Sequence, residues 1–138
     1  KSLNFRADAL QAAFLSLRLG NLAVKMEKRK RIAESYSKAF SKLCEIPSET
    51  KNSKRVFYTY TIQCDQRNEL MKYLSENNIE TKIQHPLLMS QQKPYLNCVS
   101  ESPNALRIVN RILCLPIHES LEQDDVDYVI EKVTEFFS

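Results

Sequence analysis

Apolar residues at Leu10, Ala13, Phe14 and Leu17 step by three and four along Asp8–Leu19, the period of a helix that buries one face. Asp8, whose carboxylate can take a backbone N–H of the first turn, reads as its N-cap. The stepping resumes past Gly20–Asn21 with Leu22, Met26, Ala33, Tyr36, Phe40 and Leu43, and skips one turn at Arg29. One long helix follows, kinked or interrupted near Gly20, where glycine costs ~1 kcal/mol relative to alanine. Ile46–Arg55 is polar, carries a proline and reads as a loop. Val56–Cys64 then alternates and is rich in β-branched and aromatic residues, which predicts a strand with Val56, Tyr58, Tyr60 and Ile62 on one face. Asp65 is expected to cap a short helix that turns Leu70, Met71 and Leu74 inward. Asn77–Asn78 stands at its end, where glycine is usual for a left-handed turn.

Ile79–Gln84 alternates again and reads as a second strand, while His85–Tyr95 has two prolines and no period and reads as a loop. Ser102–Pro103 is an N-cap followed by proline at the first helical position, opening a helix to about Asn110. Arg111–Pro116 is short and apolar, a third strand. Ser120–Gln123 has the spacing of a capping box and opens a last helix that buries Val126, Val129, Ile130, Val133 and Phe137. The order predicts a single α+β domain over residues 1–138. A long N-terminal helix occupies 1–44, and a small, mainly antiparallel sheet covered by helices occupies 45–138.

Composition narrows the function classes. No run of about 18 apolar residues and no signal pattern are present, so a cytoplasmic chain without membrane contact is expected. A net charge of +3 is too small to argue for nucleic acid. Cys44, Cys64, Cys98 and Cys114 have neither zinc-ligand nor disulfide-framework spacing and read as reduced core thiols, with no metal expected. A single glycine, Gly20, excludes phosphate-cradling loops and dinucleotide fingerprints. His85, at a strand-to-loop junction, is a candidate site residue, whereas His118 is expected only to order the chain before Ser120. Glu122, Asp124 and Asp125 complement a helix dipole. The Lys25–Arg31 cluster reads as a solvated face, with Arg29, at the skipped apolar step, turned toward a partner surface. No grouping of nucleophile and base stands at recognisable spacing, so no catalytic residue is assigned in this chain.

Two stretches carry a resemblance. In LNFRADALQAA, residues Asn4, Arg6, Asp8, Leu10, Gln11, Ala12 and Ala13 fit the pattern G-x-N-x-R-x-D-x-L-Q-A-A. In RKRIAESY, residues Arg29, Ile32, Ala33 and Tyr36 fit R-x-x-I-A-x-x-Y. Both patterns, followed in order by VFYTYTI, NELMKYLSENNIETKIQHP and RILCLPIHESLEQDDVDYVIEKV, resemble the C-terminal region of the pyridoxal-phosphate-dependent sugar-nucleotide aminotransferases of the DegT/DnrJ family. The resemblance implies the small domain of an aspartate-aminotransferase fold, working in a homodimer with shared active sites. The implied substrates are a nucleotide-linked keto sugar and an amino-acid donor, typically glutamate, in polysaccharide or deoxyaminosugar biosynthesis. It further implies that Asn4 and Arg6 reach the cofactor phosphate, and that Gln84, His85, Ser90 and Gln92 lie on the substrate side.

The departures are equally specific. Ser2 stands for the family's glycine before the asparagine, Gln84-His85-Pro86 for its HYP triplet, and Asn78 for the glycine before the second strand. Leu88–Gln92 matches P-x-H-x-Q with Ser90 in the histidine position, while Gln92 and Tyr95 are kept. An altered specificity, or lost activity, is the expectation. No lysine here matches the residue that bonds the cofactor, so the large domain carrying it is expected before Lys1, and the start without Met favours an excised fragment, inactive by itself. The alternative is a stand-alone, non-catalytic scaffold or regulatory domain derived from that family.

Overall fold

A computed structural model describes residues 8–48, 53–97 and 102–138. Five helices and a two-stranded antiparallel sheet follow in the order α1 (Ala9–Leu19), α2 (Leu22–Phe40), β1 (Tyr60–Gln63), α3 (Arg67–Glu76), α4 (Pro103–Val109), β2 (Ile112–Leu115) and α5 (Gln123–Phe136). Two short 3-10 turns, Met89–Gln91 and Lys93–Tyr95, lie between α3 and α4. The α+β architecture is the one the pattern predicts. No helix among the described residues is long and apolar enough to cross a membrane.

The long N-terminal helix is interrupted where expected. The Asn21 N–H reaches back only to Arg18 O (3.2 Å), and the next helix restarts with Lys25 N–H on Asn21 O. Asp8 caps α1 by accepting from Leu10 N at 2.8 Å. The predicted burial of α1 is not met: Leu10, Phe14 and Leu17 are 80%, 60% and 76% exposed, and no residue of α1 is buried. The helical period correctly marks an apolar face, but a period cannot supply the surface that would cover it. From Ile32 onward α2 enters the core, burying Ile32, Ala33, Tyr36 and Phe40.

The sheet is shorter than its sequence signal. Tyr60 pairs with Leu115, Thr61 with Cys114, Ile62 with Leu113 and Gln63 with Ile112. Tyr60, Ile62, Leu113 and Leu115 therefore share the face that packs on α2, α3 and α5, a placement fixed by the two-residue repeat. Val56 and Tyr58 were expected on that face and are exposed instead. Phe57 sits at φ 45°, outside the extended region, so the chain turns before it can pair. Ile79–Gln84 contributes a single antiparallel bridge, Lys82 with Cys114, and Glu45 makes a similar one with Gln63 on the other side.

Two caps differ from the prediction. Asp65 does not cap α3, because its carboxylate is held by Arg111 Nε at 2.7 Å, and Gln66 takes the N-cap position. α5 starts from Glu122, not Ser120: the Glu122 N–H donates to Asp125 Oδ2 (3.1 Å), and the Ser120 N–H is taken by His118 Nδ1 (3.3 Å). His118 thus orders the approach to α5, as expected, and beyond that expectation it also lines the cleft that opens there. Asn78 does adopt the left-handed turn after α3, at φ 58°. Asn78→Ala is therefore expected to lower stability by about 1 kcal/mol and Asn78→Gly to preserve or raise it, read from thermal unfolding midpoints. Equal losses in both variants would place the role of Asn78 in its side chain.

Candidate functional site

A cleft of about 640 Å³ opens where the end of β2 meets the start of α5. One wall is the 78–84 segment, anchored by the Lys82–Cys114 bridge (Lys82 N–H to Cys114 O 3.1 Å, Cys114 N–H to Lys82 O 2.8 Å). Tyr58 and Thr59, just after the turn at Phe57, and Arg29 from α2 also line it. Gln84 lies on the wall and is half-buried, so this predicted substrate-side residue is in the cleft. His85, one step along, is exposed and is not among the residues lining it. Ser90 lies in the first 3-10 turn and Gln92 between the two, held by Gln91 Oε1 accepting from Leu88 N (2.9 Å) and by Gln92 N–H on Met89 O (3.1 Å); they do not line the cleft either. Asn4 and Arg6, the predicted cofactor contacts, lie outside the described residues, as does Cys98.

Electrostatics set the inner end. Glu119 takes Arg29 with both Nη2 (2.9 Å) and Nε (3.2 Å) on Oε2, while Lys25 Nζ sits 3.0 Å from Oε1. Lys28 Nζ adds a contact of 3.4 Å to the Glu119 carbonyl. The carboxyl is pulled down to about 2, first by its own backbone N–H and then by Lys25 and Arg29. Arg29, expected to turn toward a partner surface, lines the cleft within this chain and places two of its nitrogens on Glu119. The skipped apolar step marked Arg29 as special, but Glu119 is 90 residues away and no local pattern links them.

The fit to pyridoxal phosphate can be tested on the described residues. That cofactor needs an amine to bond its aldehyde and a cationic seat for its phosphate. Lys82, the lysine lining the cleft, is exposed, and the cleft's guanidinium is engaged by Glu119, which it shares with Lys25. These residues make a polar wall without a cofactor seat of their own. Among the described residues no three metal-binding side chains gather.

A long helix leading into a small antiparallel sheet is a fold that this chain shares with solved aminotransferase structures. The chain belongs to the DegT/DnrJ/EryC1/StrS aminotransferase family, whose model matches residues 2–134. It is 30% identical to a protein of Aneurinibacillus thermoaerophilus named dTDP-3-amino-3,6-dideoxy-alpha-D-galactopyranose transaminase, over 99% of this chain and 38% of that protein. It is 31% identical to a Geobacillus stearothermophilus protein named pleiotropic regulatory protein, over 97% and 38%. Its fold matches the crystal structure of S. venezuelae DesV in complex with a ketimine intermediate, at TM-score 0.92 and 25% identity, over all of this chain and 38% of that one. A DegT DnrJ EryC1 StrS aminotransferase from Brucella abortus matches at TM-score 0.89 and 28% identity, over 96% and 36%. The chain spans about 38% of the length of the curated relatives it matches.

Proposed function

We propose that this chain works as the C-terminal part of a pyridoxal-phosphate-dependent aminotransferase that moves an amino group, typically from glutamate, onto a nucleotide-linked keto sugar. The observation that carries the reading is the family match over residues 2–134, with several relatives named as nucleotide-sugar transaminases. In this reading the enzyme is a cytoplasmic homodimer with shared sites, and the cofactor supplies the electron sink for the transfer. Asn4 donates its amide N–H to the cofactor phosphate, Arg6 adds charge beside it, and Gln84 meets the substrate from the cleft wall. His85, Ser90 and Gln92 reach substrate only if it extends from the cleft toward the 3-10 turns.

The test uses the full-length protein of which this chain is the C-terminal part, with added pyridoxal phosphate. A visible absorbance band at about 410–430 nm that collapses on adding glutamate is expected. Asn4→Ala is expected to weaken cofactor affinity about 10- to 100-fold, the worth of one hydrogen bond to a charged group. A titration identical to that of the unmodified chain would remove Asn4 from the site. A second reading, a non-catalytic regulatory domain, is favoured by the relative named as a pleiotropic regulatory protein. It predicts no such band at any cofactor concentration.

A further inference from the structure

We propose that Cys44 and Cys64 are a dithiol built to close into a reversible cross-strand disulfide, stapling the end of α2 to the end of β1. The inference starts from the backbone. Glu45 and Gln63 exchange both hydrogen bonds of an antiparallel pair, Glu45 N–H to Gln63 O (3.1 Å) and Gln63 N–H to Glu45 O (2.9 Å). The residues one step outward from such a pair face each other without hydrogen bonds, with Cα atoms about 4.5 Å apart. Here those residues are Cys44 and Cys64. A ladder spacing of that kind falls within the roughly 4.4–6.8 Å that disulfides span; Cys44 stands at the end of this one-bridge ladder, in the turn that closes α2, with its N–H on Phe40 O (3.2 Å).

The side chains agree with the backbone. Cys64 continues the Tyr60–Ile62 face and belongs to the core cluster, and Cys44 packs against that same cluster. Both line one cavity of about 610 Å³, which opens beside Arg111 and gives a small disulfide a way in. Both thiols are free. Burial pushes Cys44 up to about 11, with the nearby Cys64 as the next cause. Cys114 stands on the opposite face of the sheet, its Sγ 3.3 Å from Thr61 Oγ1, and cannot reach either thiol without crossing the sheet.

The oxidant is a low-molecular-weight disulfide such as glutathione disulfide. The thiolate of one cysteine attacks a glutathione sulfur and expels the first glutathione thiolate. The second cysteine's thiolate attacks the protein sulfur of that mixed disulfide and expels the second. The two protein protons end on the two glutathione thiols; the protein sulfurs are oxidised and glutathione is reduced. Because burial raises both thiols, thiolate is scarce at neutral pH, so the step is slow there and quickens as the pH rises.

The experiment incubates the full chain with glutathione disulfide at pH 8–9, alkylates what remains, and digests with trypsin without reduction. The expected product joins peptide 43–51 (LCEIPSETK) to peptide 56–67 (VFYTYTIQCDQR) through Cys44 and Cys64, with two alkylatable thiols lost together. Cys98→Ser with Cys114→Ser leaves that product intact, and Cys44→Ser abolishes it. Separate glutathione adducts on Cys44 and Cys64, unreacted thiols at both, or a link from either to Cys98 or Cys114 would each overturn the proposal. The decisive measurement is on the unsubstituted chain, so a variant that fails to fold does not blunt it.

Discussion

Tyr36→Ala is expected to destabilise the sheet-and-helix region by about 3–5 kcal/mol, enough to consume much of a typical domain's stability. Tyr36 is fully buried. Its ring stacks on Phe40 at 5.5 Å between centroids and meets Tyr60 edge-on at 5.2 Å, joining α2 to β1. Its hydroxyl donates to Pro116 O at 3.0 Å, holding the end of β2 just before the cleft. Burial, reinforced by Tyr60, pushes the phenol well above its ordinary range, so it stays a protonated donor at every working pH. Alanine removes the ring and also orphans the Pro116 carbonyl. Tyr36→Phe separates the two effects: it keeps the packing and loses only the hydrogen bond, at about 1–3 kcal/mol. Urea unfolding followed by far-UV circular dichroism reads both, and a midpoint unchanged by Tyr36→Ala would contradict this picture of the core.

That residue also explains why one motif was legible. In R-x-x-I-A-x-x-Y, the spacing places Arg29, Ile32, Ala33 and Tyr36 along one face of α2, where three are buried and Arg29 is half-buried against Glu119. Residues three and four apart share a helical face, so a sequence pattern captures the contact directly. The strands were less legible because alternation reports two faces and says nothing about pairing. Val56–Cys64 alternates throughout, yet only Tyr60–Gln63 is ladder, since Phe57 at φ 45° interrupts the run. Ile79–Gln84 alternates too, but only Lys82 finds a partner. The caps failed for a related reason. Asp65 and Ser120 have the right chemistry, and tertiary partners took the decisive atoms: Arg111 the Asp65 carboxylate, and His118 the Ser120 N–H.

The site followed the same division. Gln84 reached the cleft because it ends a segment tied to β2, whereas His85 stands just before Pro86 and Ser90 and Gln92 follow it, in chain whose path no period encodes. Alternation places Tyr58 on one strand face with Tyr60 and Ile62, yet Tyr58 is exposed and lines the cleft. The positive φ at Phe57 turned it there, and an aromatic residue carries no sequence signal for that conformation.

Glu119→Gln is expected to loosen the junction between α2 and α5, with a pH signature that identifies the cause. In the folded chain the carboxyl sits at about 2, below its ordinary 4.5. A group lowered on folding stabilises fully above its unfolded value, and that contribution fades as pH falls through the folded one. The gap in urea midpoint between the unsubstituted chain and Glu119→Gln should therefore be constant from about pH 7 to about pH 5.5. It should shrink between pH 4.5 and 2 and close below that. Added salt should narrow the gap at pH 7, because Lys25, Arg29 and Glu119 are each partly exposed and screened. Glu119→Lys goes further and sets a third cation against Lys25 and Arg29, so its loss at pH 7 should exceed that of Glu119→Gln and should recede more steeply with salt. A gap indifferent to both pH and salt would mean that Glu119 acts through packing, and that Arg29 is held at the cleft by something other than charge.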